Sequence, residues 1–420
     1  MADTTTGYSE FQHEESDSLK ESLVFARAVL KDALDIEVES LEPITRGYNN
    51  KVYLLKLSPN STPAHRLLQS GCLPLPSPTP STLIFRTVRK RSQTPAARKV
   101  SNAIATMQLV RDNTDIPIAP AYAYDVNGDE PWMVEGVLPG TPMDEAWQHA
   151  DTDTRVRMLE ALVDVLAKLK GIPPPQPGFG GLTYDADGKM VLGPTSLAYD
   201  EGPFATAKEY YKAWIRGQWQ DAKANPRSDG WKIDGIDQRI EKFFSEGLDT
   251  ALVCLAECKP IFIHADFGML NVLVSPTAPE VITGLLDFEW SHFGPESDEY
   301  FLSSPGPGYI YGGPHDLKPE SKAYARTQIL LSGKIPEDLD VGGASFLTFK
   351  TDSLLRSRNL GTFSSIPHFE DIARLYWFAE NLRPWFFHES VHEASMVKMV
   401  AESKATNPIS FDKDLKVWGY

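Results

Sequence analysis

The segment that most constrains this chain is residues 261–274, which read Ile-Phe-Ile-His-Ala-Asp-Phe-Gly-Met-Leu-Asn-Val-Leu-Val. Here His264, Asp266 and Asn271 follow the spacing H-x-D-x-x-x-x-N between two short apolar runs. Short runs rich in β-branched and aromatic residues are typical of strands, so the polar residues are predicted to lie on the loop between two strands. A further apolar run ends at Asp287. The predicted order is therefore strand, loop, strand, and then a second aspartate.

This order is what a metal-dependent phosphoryl-transfer site requires. Mg²⁺ prefers hard oxygen ligands and usually takes only one or two carboxylates from a protein, so Asn271 and Asp287 are the predicted metal ligands. Asp266 is left to accept or orient the proton of an attacking hydroxyl group. His264 is the second predicted catalytic residue, mainly because it can orient the loop by hydrogen bonding. A purely structural buried histidine is the alternative.

The spacing alone is moderately specific. At ordinary residue frequencies it arises by chance in roughly one chain of this length in fifty. Flanking strands and an aspartate 16 residues after Asn271 (287 minus 271) make a chance match much rarer. The alternative interpretation is a solvated loop between two core strands.

The size and charge of the chain restrict its architecture and partners. Its 420 residues predict one large domain or two unequal ones. The formal net charge of −16 predicts that the surface repels nucleic acid and anionic membranes. No apolar run approaches the ~20 residues of a membrane span, and the first residues lack the basic start and apolar core of a signal peptide. With only three cysteines, we expect a protein of the reducing cytoplasm.

Hydrophobic patterning predicts an α+β protein with two lobes. Residues 1–17 are polar and are predicted to be a flexible N-terminus. Residues 18–139 contain a helical pattern and several strand patterns, which predict a small β-rich N-terminal lobe. Residues 140–420 are predominantly helical and include the 261–287 segment. We expect a ligand-binding cleft between two such lobes.

The motifs His264-Ala-Asp266-(x)4-Asn271 and Leu286-Asp287-Phe-Glu-Trp resemble those of the aminoglycoside phosphotransferase and choline kinase-like family. The nearest likeness is to fungal-type members of the phosphotransferase enzyme family. The resemblance covers about residues 40–300. It implies the protein-kinase-like bilobal fold, ATP as the phosphoryl donor, Asp266 as the catalytic aspartate, and Asn271 and Asp287 as ligands of Mg²⁺.

The resemblance also implies a nucleotide-covering hairpin in the N-terminal lobe. The turn containing Gly47, Asn49 and Asn50 occupies the corresponding place. Backbone N–H groups in such a turn can cap phosphates. An ordinary hairpin turn has the same composition, so both interpretations of this turn stay open.

The resemblance implies that three further residues contact the nucleotide. Arg86 stands where the family places a Lys or Arg that reaches the α- and β-phosphates, and arginine can bind phosphate with two hydrogen bonds. An ordinary solvent-facing strand arginine is the alternative. The main-chain groups of Glu135 and Val137 are expected to meet the adenine.

One position departs from the family pattern. The helix after the third strand should carry a Glu that pairs with the strand-borne cation, but Ala103 occupies the matching position. No acidic residue follows within that helix until Asp112. Without this partner Arg86 is expected to be held less firmly, which weakens phosphate positioning. A carboxylate elsewhere could compensate, or the cleft has drifted to another use.

The acceptor is predicted to be a small molecule. Glu289, Trp290 and Asp298 follow the second aspartate and are candidates for an acidic, aromatic acceptor site, which suits an amine-bearing or aromatic substrate. Three functions remain open. They are an ATP/Mg²⁺-dependent small-molecule kinase, a kinase-fold enzyme repurposed for another reaction in secondary metabolism, and a ligand-binding pseudokinase.

Overall fold

The computed structural model shows two compact units. It describes residues 11–44, 50–58, 68–88, 95–195, 201–225, 233–336, 341, 345–387 and 394–420. The contacts of the chain group Met1–Ser92 with Ala119–Val137, and Gln93–Ile118 with Leu138–Tyr420.

The first unit is built on an antiparallel five-stranded sheet with strand order β1-β2-β3-β5-β4. Helix α1 packs against it, and alternate strand residues such as Leu55 and Phe85 are buried in the shared core. The elements are α1 (Phe11–Leu34), β1 (Val38–Ile44), β2 (Asn50–Leu57), β3 (Thr82–Val88), β4 (Ala121–Asp125) and β5 (Trp132–Glu135).

The second unit is mainly helical. Its helices are α2 (Ala96–Asn113), α3 (Met143–His149), α4 (Thr152–Lys170), α5 (Ala207–Ala224), α6 (Ile236–Glu246), α7 (Leu248–Ala251), α8 (Asp298–Leu302), α9 (Lys322–Ser332), α10 (Phe346–Ser357), α11 (Phe369–Leu382) and α12 (Ala394–Val417). Its strands are β6 (Thr141–Pro142), β7 (Gly181–Tyr184), β8 (Met190–Gly193), β9 (Ile261–Ile263), β10 (Val272–Ser275), β11 (Ala278–Leu285) and β12 (His292–Gly294).

The strands of the second unit form three small sheets. Their orders are β11-β10-β6, β12-β9 and β7-β8. The segment predicted as strand, loop, strand is therefore β9, the loop and β10, which pairs with β11. An antiparallel sheet unit together with a mainly helical unit confirms the predicted α+β, two-lobe fold class.

Helix α4 shows how sequence signals place one functional side chain. Asp151 caps its first turn by accepting a hydrogen bond from the Thr154 N–H at 2.8 Å. Leu159, Leu162 and Leu166 form part of its buried face, and the helix stops at Gly171. The helix carries Lys170 in its last turn.

Two elements differ from the sequence patterns. Helix α1 begins at Phe11, so part of the polar stretch assigned to a flexible N-terminus is helical. Residues 96–113, assigned by sequence to the N-terminal lobe, belong to the second unit because α2 packs on the β7–β8 hairpin there. The lobe limits drawn at 18–139 and 140–420 stay a prediction. In the described part of the chain, no helix has the length and apolar character needed to cross a membrane.

Gly140 fixes the segment that enters the second unit. Its φ of +127° lies in a region that favours glycine. A Cβ there would lie 2.7 Å from the Val274 carbonyl oxygen on β10 and even closer to the Thr283 hydroxyl on β11. The chain can follow this path across the β10–β11 sheet only without a side chain at residue 140.

Gly140→Ala is therefore expected to destabilise the protein. The unfavourable backbone conformation alone costs about 1–3 kcal/mol, and the contact with β10 adds to it. The free energy of unfolding is measured by urea denaturation. Gly171→Ala is the control, because Gly171 has a φ of −78° and an added Cβ there makes ordinary contacts. Equal effects of the two substitutions would contradict the interpretation.

Candidate active site

The loop between β9 and β10 holds Asp266 and Asn271 together. The Asn271 side-chain N–H group donates to the Asp266 main-chain oxygen and to its carboxylate Oδ2, each at 2.8 Å. The Asn271 N–H bonds the Gly268 carbonyl oxygen within a short 3-10 turn, Met269–Asn271. The spacing of five residues between Asp266 and Asn271 is therefore the length of one hydrogen-bonded turn.

Asp287 is brought to this loop by hydrogen bonds to both main-chain polar groups of Leu286. The Leu286 N–H donates to the Asn271 carbonyl oxygen at 2.9 Å, and its carbonyl oxygen lies 3.1 Å from His264 Nε2. Ala265 and Asp287 both adopt the left-handed backbone region, with φ of 67° and 66°. Such strain persists only where surrounding bonds over-determine the conformation. The structure thus assembles His264, Asp266, Asn271 and Asp287 into one constellation.

His264 is buried and acts on the loop as a neutral ring. Burial lowers its pKa to about 4, although the nearby Glu299 carboxylate opposes the shift. Because the Leu286 carbonyl oxygen can only accept, His264 Nε2 must carry the proton of the neutral ring. This geometry suits the orienting role predicted from the sequence.

Asp266 holds its proton more tightly than an ordinary aspartate. Burial raises its pKa to about 7, and the neighbouring Asp287 adds to the rise. The hydrogen bond from Asn271 opposes the shift. A carboxyl group that titrates near neutral pH is well matched to accepting a proton from a hydroxyl group.

The donor set fits Mg²⁺. Because the Asn271 side-chain nitrogen donates to Asp266 twice, its amide oxygen Oδ1 is directed away from that carboxylate. One amide oxygen and the Asp287 carboxylate are the hard ligands that Mg²⁺ takes from proteins in small number. Among the residues that the structure describes, no group of three or more His, Cys, Asp or Glu side chains could hold a metal.

Glu299, which no sequence motif singles out, binds the main chain of the loop through its carboxylate. Its carboxylate accepts hydrogen bonds from the main-chain N–H groups of His264 at 3.1 Å and Ala265 at 3.3 Å. It also accepts from the Ser303 hydroxyl at 2.6 Å and from Lys170 Nζ at 2.7 Å. Burial raises the pKa of Glu299, but Lys170 and the hydrogen bond from Ser303 bring it below its ordinary value.

Lys170 reaches this point from the end of α4. Its ammonium also donates to the Phe262 carbonyl oxygen at 3.0 Å, so it binds β9 directly. The two side chains are 6% and 0% exposed, which makes the pair an interior one. Lys170 is a basic residue in the last turn of α4, and no local sequence signal links it to a carboxylate 129 positions later.

The three acceptor candidates occupy different surroundings. Glu289 is buried with its Oε1 atom 3.5 Å from Lys99 Nζ, and the Trp290 ring is partly buried beneath the same ammonium. Asp298 is buried on α8, where it accepts a hydrogen bond from the Tyr211 hydroxyl at 2.5 Å. Burial raises the pKa of Asp298. Asp298 therefore anchors α8 to α5 within the second unit.

The predicted nucleotide-binding residues belong to the first unit. Arg86 lies on β3 opposite Val52 and Met133, on the face away from Phe85, and is partly buried. Asn50 begins β2 and Glu135 ends β5, and both are buried, whereas Val137 is 45% exposed. Gly47 and Asn49 lie outside the described residues.

An antiparallel sheet unit, a helical unit and this catalytic-type loop define a phosphotransferase fold. The chain belongs to the phosphotransferase enzyme family, whose model matches residues 40–297. No curated protein matches the chain.

Solved structures similar to the chain include the GDP and kanamycin complex of APH(2")-IIia, at 12% identity and a TM-score of 0.44. That similarity covers 92% of this chain and 99% of the other. An aminoglycoside-3'-phosphotransferase of type VIII is 14% identical, with a TM-score of 0.36, over 81% of this chain and 98% of the other. The assignment to the family rests on the match over residues 40–297.

Breaking the buried pair is expected to be costly. Glu299→Gln or Lys170→Met leaves one buried charge without its partner, which typically costs about 3–5 kcal/mol. Urea denaturation of each variant and of the double variant measures this, and the double variant should lose less than the sum of the two single losses.

Lys168→Met is the matched control, because Lys168 lies in the same helical turn but pairs with Asp115 at the surface. It should change stability little. A loss of stability as large as that of Lys170→Met would show that stability depends on the last turn of α4 rather than on the buried charge.

The raised pKa of Asp266 predicts a pH dependence of stability without added metal. Between about pH 4 and pH 7 the folded state keeps the Asp266 proton while the unfolded state has lost it. The contribution to stability is therefore full below the unfolded pKa and is lost as pH rises through the folded pKa. Thermal melts in chelator from pH 4 to pH 8 should show a larger decline for the wild type than for Asp266→Asn.

Asp287→Asn provides the companion test. It removes the neighbouring charge that helps to raise the Asp266 pKa, so its decline should also be smaller than that of the wild type. Parallel pH profiles for all three proteins would exclude Asp266 as the titrating group.

Proposed function

We propose that this protein is an ATP- and Mg²⁺-dependent phosphotransferase that acts on a hydroxyl group of a small molecule in the cytoplasm. The observation that carries the proposal is the hydrogen bonding around Asn271. Its side chain donates two hydrogen bonds to Asp266. Its main-chain carbonyl oxygen accepts a hydrogen bond from the N–H of Leu286, the residue before Asp287. Phosphoryl transfer depends mainly on positioning and charge neutralisation, and this arrangement provides the positioning.

In this proposal each residue of the loop has one task. Asp266 orients the acceptor hydroxyl and accepts its proton, while His264 keeps the loop in shape as a neutral hydrogen-bond donor. Asn271 and Asp287 hold Mg²⁺, which when bound neutralises charge on the transferred phosphoryl group. The strained left-handed conformation at Asp287 aims its carboxylate before substrate binds, so less reorganisation is needed during the reaction.

The nucleotide-binding tasks are proposed for the first unit. Arg86 would bind the α- and β-phosphates, and the turn with Gly47, Asn49 and Asn50 would cover them. The main chain of Glu135 and Val137 would meet the adenine. Support for this part comes from the family membership and from the place of Arg86 on the third strand of the sheet.

An amine-bearing or aromatic acceptor remains our proposal for the substrate, with neither nucleic acid nor membrane as a partner. Of the three candidate residues, Trp290 is the best placed to touch a ligand because its ring is only partly buried. Glu289 and Asp298 are buried against Lys99 and Tyr211, so they would act on the acceptor only by giving up these contacts.

A second candidate is a kinase-fold protein that no longer transfers phosphoryl groups, either a repurposed enzyme of secondary metabolism or a ligand-binding pseudokinase. The observation that favours it is Ala103. This residue is 1% exposed on α2 and stands where the resemblance places a carboxylate.

A nucleotide assay separates these functions. ATP with Mg²⁺ is expected to raise the melting temperature, and turnover of ATP should fall by about 10²-fold or more in Asp266→Ala because the group that accepts the proton is gone. Asp287→Ala should also abolish the Mg²⁺-dependent part of the thermal shift. A library of amine-bearing and aromatic alcohols serves as acceptors.

Asp153→Ala, an exposed carboxylate in the first turn of α4, controls for loss of negative charge. Binding of nucleotide without any turnover would favour the pseudokinase. The absence of any thermal response to nucleotide with Mg²⁺ would exclude the kinase.

A further inference from the structure

Asn102 on α2 is fully buried against the residues that follow Asp287. Its side-chain N–H group faces the carbonyl oxygens of Phe288 at 3.3 Å, Glu289 at 3.2 Å and Ser291 at 2.8 Å. Carbonyl oxygens that converge in a tight turn repel one another and need a donor between them. Asn102 supplies that donor to the segment 288–291.

Lys99 contacts the same segment from one helical turn earlier. Its ammonium lies 3.5 Å from Glu289 Oε1 and 4.0 Å from the centre of the Trp290 ring. The Lys99 and Glu289 side chains are only 1% and 2% exposed, so their attraction is little screened by solvent. Charge pairing and a cation–π contact thus reinforce the hydrogen bonds of Asn102.

The opposite side of the segment is bound to the catalytic loop. The Ser291 hydroxyl donates to the His264 carbonyl oxygen at 3.1 Å. Helix α2 and the loop therefore hold residues 288–291 from two sides, and Asp287 stands directly before them in its left-handed conformation. A strained residue keeps its conformation only while both sides are held.

We propose that Asn102 and Lys99 are positioning residues for Asp287. They fix the direction of its carboxylate through the main chain of residues 288–291. In this chain α2 stabilises the site by binding the segment after the second aspartate, although it carries alanine where the family has a carboxylate. The part of this inference that concerns Mg²⁺ rests on the proposed function.

Helix α2 also has contacts that should leave Asp287 unaffected. The Ser101 hydroxyl hydrogen-bonds the Thr183 hydroxyl at 2.9 Å, and Gln108 accepts a hydrogen bond from the Tyr184 hydroxyl at 2.6 Å. Both contacts reach only the β7–β8 hairpin. They provide variants of the same helix that separate general packing of α2 from the positioning of Asp287.

Asn102→Asp tests the proposal with almost no change of shape. The Leu182 N–H donates to Asn102 Oδ1 at 2.6 Å, and a carboxylate can still accept that bond. It cannot donate to the three carbonyl oxygens. Hydrogen–deuterium exchange of the apo-protein, followed on peptides that cover residues 284–293, is expected to become faster in Asn102→Asp and to stay unchanged in Ser101→Ala.

The second readout is the Mg²⁺ concentration that gives half of the nucleotide-induced thermal shift. It should rise by about 10–100-fold in Asn102→Asp, the usual effect of removing a group that orients a metal ligand. The KM of the acceptor should stay the same. Lys99→Met should show the same two effects and Lys99→Arg should restore much of the loss, since arginine keeps the charge.

The two readouts have separate meanings. Unchanged exchange at residues 284–293 in Asn102→Asp, or equal acceleration in Ser101→Ala, overturns the positioning role whatever the enzyme does with ATP. Faster exchange with an unchanged Mg²⁺ requirement also overturns it. A wild-type protein that responds to no nucleotide with Mg²⁺, but whose exchange depends on Asn102, refutes the proposed function alone.

Discussion

The arrangement of the site depends on one buried carboxylate. Glu299 accepts hydrogen bonds from two consecutive main-chain N–H groups of the loop, at His264 and Ala265, just where the backbone turns into its left-handed conformation. A carboxylate in the interior is stable only if its charge is balanced, and Lys170 balances it. The ion pair thereby places a strong acceptor beneath a strained turn, and the turn places Asp266.

Two of the acidic groups around the loop are paired with buried lysines. Glu299 faces Lys170 and Glu289 faces Lys99, each pair almost wholly buried. Asp266 keeps a raised pKa because it is buried and because the carboxylates of Asp287, Glu289 and Glu299 lie near it. The negative charge around Asp266 thus favours its protonated form, even though two of the neighbouring carboxylates are paired with lysines.

Local sequence patterns, meaning motif spacing and hydrophobic periodicity, predict much of this structure. The spacing of His264, Asp266 and Asn271 predicts the loop, and the short apolar runs beside it predict β9 and β10. Local pattern cannot predict the role of Glu299, since its partners on the loop and on α4 lie 34 to 129 residues away along the chain. The membership of α2 in the second unit has the same origin, because it follows from packing on the β7–β8 hairpin, where Asn102 bonds Leu182, 80 residues away along the chain.

The wide sequence separation of the Lys170–Glu299 pair bears on how the chain acquires its site during synthesis. Contacts between distant residues form slowly because a long loop must close first, and the two ends must both be present. Strands β9 and β10 and the whole 264–271 loop leave the ribosome before residue 299 does. Until α8 emerges, the loop amides lack their acceptor and Lys170 lacks its counter-charge. A nascent chain thus carries the complete motif for some time without the interior support that shapes it, and any product truncated before α8 would keep the motif and lose the site.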